Sequence, residues 1–103
     1  MNLMRKTMVH RLDYFVQITN GYNLIGENVR KERKKRGWTQ LDLERELDLL
    51  GVEIPRSAIS LIETRKRSVS DYELCALERV FHLPRGGLID DQNAFIIELH
   101  KSC

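Results

Sequence analysis

Cysteine and histidine are scarce in this 103-residue sequence, and each scarcity removes a class of function. The two cysteines, Cys75 and Cys103, stand at no metal-ligand spacing and are too few for a disulfide framework. Cys75 falls inside a helical pattern and reads as a small buried hydrophobe. The three histidines, His10, His82 and His100, are too dispersed for a metal site and have no nucleophile at interpretable spacing. No phosphate loop, zinc pattern or nucleophile elbow occurs, so neither enzymatic activity nor a metal or cofactor is expected. No apolar run approaches the roughly 18 residues of a membrane span, and the N-terminus lacks an apolar stretch with a small-residue cleavage site. The expectation is a cytoplasmic protein with no membrane partner.

What is present points to one folded domain. The length suits a single compact core, and 42% hydrophobic with 31% charged residues is an ordinary globular balance. The net charge of +2 conceals an uneven distribution. Arg30, Lys31, Arg33, Lys34, Lys35 and Arg36 form one basic block around Glu32, and Arg65, Lys66 and Arg67 form a second. Asp42, Glu44, Glu46, Asp48 and Glu53 lie between them. Such a chain can turn a cationic face to a polyanion while staying nearly neutral.

Residues 1–22 read as an N-terminal extension whose apolar residues fit two periods. Met4, Met8, Leu12 and Phe15 match a helical stripe, whereas Leu12, Tyr14, Val16 and Ile18 alternate as in a strand. A domain is expected over residues 23–90. Asn23 is the expected N-cap of its first helix, with Ile25 and Val29 on one face and Gly37 as the stop. Thr39 with Asp42 three residues later opens a second helix, whose stripe is Leu43, Leu47 and Leu50 and which Gly51 ends. Pro55 starts a short third helix with Ile59 and Ile62 turned inward and Arg56, Ser57 and Ser60 outward. Ser70 with Glu73 repeats the capping signature and opens a fourth, lined by Leu74, Leu77, Val80 and Phe81. Pro84, Gly86 and Gly87 break it, and Leu88 and Ile89 dock a last short turn. The tail, 91–103, contains Ala94-Phe95-Ile96-Ile97, which suits a strand or a helix equally.

Two short helices joined by a turn, the second with polar residues outward at its start and basic clusters on either side, make a helix-turn-helix layout. From about Ile25 to Leu83 the residues resemble the lambda-repressor-like (Cro/repressor-type, XRE-family) helix-turn-helix regulators. The resemblance is carried by Ile25-Gly26-Glu27, Val29-Arg30, Arg33-Lys34, Gly37-Trp38-Thr39-Gln40, Leu43, Arg56-Ser57-Ala58-Ile59-Ser60, Ile62-Glu63, Leu74 and Leu77. It implies an all-α, five-helix DNA-binding bundle with short N- and C-terminal extensions. In that family the element near residues 55–63 is the recognition helix, so Arg56, Ser57, Ser60 and Leu61 would face bases. Arg56 is the leading candidate, because an arginine fork can donate to both O6 and N7 of guanine. Thr39 and Gln40, together with Lys35, Arg36, Lys66 and Arg67, would meet phosphates. Arg33 and Glu63 would form an internal ion pair with a structural role. Trp38 is expected to pack as a lid.

The implied partner is double-stranded DNA, bound by a homodimer that places two recognition helices about one helical turn apart on a pseudo-palindromic operator. The apolar segments 12–18 and 88–99 are the expected dimer seam. Three positions and one connection depart from the family's pattern. The connection after helix two is extended through Leu49-Leu50-Gly51-Val52-Glu53, Glu44 stands where a small residue is usual, Leu61 replaces a long polar side chain, and Arg65 occupies the customary glycine after the recognition helix. The last predicts a strained or shifted left-handed residue. Leu61 also keeps a protein partner in view, as in an antitoxin or adaptor built on the same fold.

Overall fold

The computed structural model describes residues 21–89, and this region contains helices and turns without a strand. The double reading of residues 1–20 and of the tail, and with them the expected dimer seam apart from Leu88 and Ile89, lies outside the described residues. The helices are α1 (Gly26–Lys35), α2 (Gln40–Leu49), α3 (Arg56–Glu63) and α4 (Asp71–Val80). α3 packs against both α1 and α2, and α2 packs against α4.

Four helices, not five, stand among the described residues. After α4 the chain turns at 85–88, where Pro84 offers no N–H for continued helix and its carbonyl accepts from Gly87. The turn is nonetheless fixed. Leu88 is fully buried, its carbonyl accepts from Asn28 Nδ2 at 2.9 Å, and the buried Glu78 carboxylate accepts from Gly86 N at 2.7 Å.

The core follows the apolar periodicity. Val29, Leu43, Leu47, Ile54, Ile59, Ile62, Leu77, Phe81 and Leu88 are all but completely buried, and Trp38 and Leu74 pack against them half-buried. Two expectations need correction. Cys75 is exposed on the outer side of α4 and is no core residue; it lies one position from the stripe made by Leu74 and Leu77. Leu50 does not continue the stripe of α2. It is the C-cap of that helix and is 46% exposed, and Val52 and Ile54 from the extended connection fill the core instead.

Both predicted capping boxes form. Thr39 Oγ1 accepts from Asp42 N at 3.0 Å while Asp42 Oδ2 accepts from Thr39 N at 2.8 Å, and Ser70 and Glu73 repeat the exchange. The start of α1 differs in register. Ile25 occupies the cap position, and Asn23 serves it from two residues upstream, its Oδ1 accepting from Ile25 N and Gly26 N. Its Nδ2 donates to the carbonyls of Ile62 and Arg67, so one buried side chain ties the start of α1 to the end of α3. That crossing is tight: a Cβ on Gly26 would lie 2.1 Å from the Ile62 carbonyl oxygen.

All four helices end alike. In each, the residue after the C-cap has positive φ and donates back to the carbonyl three residues earlier, and the next N–H reaches five residues back. Gly37 and Gly51 supply the left-handed residue for α1 and α2, but Arg65 (φ 61) and His82 (φ 56) supply it for α3 and α4. The expected conflict at Arg65 is therefore real: the arginine adopts the left-handed conformation without any shift. Tertiary contacts hold it, because its carbonyl accepts from Tyr22 N and its Nε donates to Asn23 O.

Candidate nucleic-acid interface

α3 is eight residues long and divides cleanly by period. Ile59, Ile62 and Glu63 are buried, whereas Arg56, Ser57, Leu61 and Thr64 are exposed and Ser60 is half-buried. The outward residues 56, 57, 60, 61 and 64 form one stripe along the helix. Arg56 makes no ion pair among the described residues, and Leu61 is 44% exposed.

The start of α3 is capped in a way the sequence did not announce. Pro55 at the cap position has no side-chain acceptor, and Glu44 of α2 takes the role, its Oε1 accepting from Arg56 N at 2.7 Å. The carboxylate that stands here in place of a small residue is therefore engaged with the head of α3. Twelve residues separate it from Arg56 in sequence, so no local signal marks the contact.

The other end of α3 is clamped. Arg33 donates through Nε and Nη2 to the two carboxylate oxygens of Glu63 at 2.7 and 2.9 Å, and through Nη1 to the Trp38 carbonyl at 2.8 Å. The side chains are 11% and 4% exposed. Hydrogen bonding to Glu63 holds the Arg33 guanidinium above its ordinary value against the opposing effect of burial. Gln40 Nε2 donates to Glu63 Oε1 at 3.1 Å, which ties the first turn of α2 to the same carboxylate. A fork of this kind fixes direction as well as distance, so α3 is anchored in rotation as well as in position.

Trp38 stacks on Phe81 with ring centroids 5.9 Å apart, and the Arg36 guanidinium covers both rings. Arg36 also donates to the Glu32 carboxylate and carbonyl and to the Phe81 carbonyl. It is turned into the fold, with its donors directed at internal acceptors rather than at an outside phosphate. Arg67 is similarly occupied by a bidentate pair with Glu73 at 2.8 and 3.0 Å. Those hydrogen bonds, with those of Ser70, hold the Glu73 carboxyl below its ordinary value, and Thr39 does the same for Asp42. Lys66 is exposed without an ion pair among the described residues, and Lys35 reaches Glu32 only at 3.8 Å with a largely exposed side chain. The Thr39 hydroxyl serves the cap of α2.

The geometry is that of an outward-facing helix whose stripe, polar but for Leu61, no described residue covers, braced by a second helix whose own N-terminus carries Thr39 and Gln40. Residues 29–88, more than half of the chain, match a helix-turn-helix family model. No curated protein and no solved structure matches the chain. No helix among the described residues is long and apolar enough to cross a membrane. The match and the geometry together identify the chain as a member of the XRE-type, lambda-repressor-like helix-turn-helix family of DNA-binding regulators.

Proposed function

We propose that the protein is a cytoplasmic, sequence-specific repressor of transcription that binds double-stranded DNA as a homodimer on a pseudo-palindromic operator, with no catalytic activity. The observation that carries this reading is the outward stripe of α3, held by Ile59 and Ile62 beneath it and by the Arg33–Glu63 fork at its end. The major groove of B-DNA admits one α-helix, and residues near the N-terminus of that helix reach the base edges. Arg56, Ser57, Ser60 and Leu61 are the base-reading set: Arg56 donates to guanine, the serines bond to a base or phosphate, and Leu61 meets thymine methyl groups. Lys35 and Lys66 take phosphates, as does Gln40 once its amide is shared between Glu63 and the backbone. Thr39 contributes at the exposed start of α2, while Arg36 and Arg67 contribute after exchange of their internal partners.

Selection of bound sequences from random duplexes tests the whole reading, since it returns both the preferred bases and the half-site spacing. Within the selected site, Arg56→Ala should relax preference at one position in each half-site by about 1–3 kcal/mol, while Lys66→Ala should weaken all sequences alike. Unchanged preference in Arg56→Ala would remove α3 from the reading role. The half-exposed Leu61 and the Glu44 carboxylate at the head of α3 support a second reading, an adaptor or antitoxin that offers this same stripe to a protein. That reading predicts little affinity for any duplex.

A further inference from the structure

The cations of α1 and of the loop after α3 differ in how far they are engaged. Arg33, Arg36 and Arg67 are held by Glu63, Glu32 and Glu73. Arg30, Lys31 and Lys34 are exposed and make no ion pair among the described residues. These three share one side of α1, at the i, i+1 and i+4 positions of a helix whose register is fixed by the buried Val29 and Arg33.

They also share a groove of about 600 Å³ that runs between α1 and the end of α3, with Thr64 and Arg65 on its far wall. Two carboxylates, Glu27 and Glu63, border it. Glu63 is neutralised by its fork with Arg33, so among the described lining residues Glu27 is the one carboxylate left to face three cations that have no ion pair there. Thr64 belongs to the groove and is also the last outward residue of the α3 stripe, so the basic wall continues the same surface.

Eight helical residues span about 12 Å, close to the width of the major groove. A helix of that length seated by its N-terminal half therefore carries its C-terminal end out to the border of the groove, where the phosphates run. We propose that Arg30, Lys31 and Lys34 form a second phosphate-binding ledge, which grips the DNA backbone beside the C-terminal end of α3 and adds affinity without reading sequence. The ledge rests on the DNA-binding reading above. It adds the outer side of α1 to the backbone contacts of Lys35 and Lys66, in place of Arg36 and Arg67, which have internal partners.

The test uses the full chain and two duplexes of equal length, one taken from the selection and one scrambled, with binding followed by fluorescence anisotropy between about 50 and 200 mM salt. The double variant Lys31→Gln/Lys34→Gln is compared with Arg79→Gln/Arg85→Gln, which removes the same charge from exposed positions in and after α4. The α1 variant should reduce the steepness of the log–log salt dependence by about 0.9 for every phosphate it no longer neutralises and weaken both duplexes by the same factor. The control should keep the wild-type slope. An unchanged slope in the α1 variant overturns the ledge, as does an equal reduction in the control, which would make the effect one of net charge. Weakening confined to the selected duplex overturns it too, since that is base reading. Should the wild-type chain bind neither duplex, the DNA-binding reading itself falls and the ledge with it.

Discussion

Four left-handed residues close the four helices, and only two of them are glycine. An L-residue in that conformation carries roughly 1–2 kcal/mol of steric cost, partly offset because glycine has more freedom to lose on folding. His82 is exposed and its side chain makes no hydrogen bond or ion pair among the described residues, so His82→Gly should stabilise the protein by about 0.5–1 kcal/mol, readable as a raised midpoint in chemical denaturation. Arg65 is a different case despite its similar φ. Its Nε donates to Asn23 O at 2.8 Å and its side chain covers Gly21, so Arg65→Gly should gain less than His82→Gly or lose stability outright. A larger gain at 65 than at 82 would mean that those contacts contribute nothing. The glycine missing from the family's pattern is thus replaced by a residue that works through its side chain.

α3 receives its stability from outside itself. Eight residues are too few for a helix to persist alone in water, and this one has no side-chain cap on its own residues. Glu44 from α2 satisfies the Arg56 N–H and places a negative charge at the positive end of the helix dipole. Glu44→Ala should cost about 0.5–2 kcal/mol in global unfolding. Amide exchange should quicken first at Arg56 and Ser57, and an unaltered exchange pattern there would mean that Glu44 does not cap α3. At the opposite end the Arg33–Glu63 fork, Gln40 and Asn23 converge on the last turn. The caps that open α2 and α4 and the stops that close α1 and α2 are local matters and could be read from Thr39–Asp42, Ser70–Glu73, Gly37 and Gly51. The capping of α3 could not, because its partner arrives from a different helix.

Over the whole molecule, acid should lower stability in a defined window. The carboxyls of Glu73 and Asp42 are held below their ordinary values of 4.5 and 3.8 in the folded state. The folded chain therefore binds fewer protons than the unfolded one near those values, and the stability this contributes is complete above them and lost as pH falls through the depressed values. Thermal midpoints should hold steady down to about pH 5 and then decline. Arg67→Gln should flatten part of that decline, since the Arg67 hydrogen bonds are the first cause of the Glu73 displacement. A decline of unchanged steepness in that variant would exclude the pair as a source of acid sensitivity. The same pairing governs which cations face outward, so charge counted along the sequence misjudges the surface: Arg36 and Arg67 look as available as Lys34 and Lys66 until their acceptors are known.

Periodicity, caps and breakers acting over a few residues were enough to determine that the described region is helical, its four helices, most of their buried faces and the outward placing of Arg56, Ser57 and Ser60. Each of those depends on interactions no longer than a helical turn, or on which side of a helix a residue occupies. Tertiary structure alone decided that Cys75 and Leu50 lie outside the core, that Asn23 and Glu44 each bridge two helices, and that Arg65 is held in a conformation glycine would take more readily. It also decided which arginines are engaged and which of α1's cations remain open to an anion. Those outcomes turn on partners a dozen or more residues away, or on how closely two helices approach, and neither is written in a local stretch of sequence.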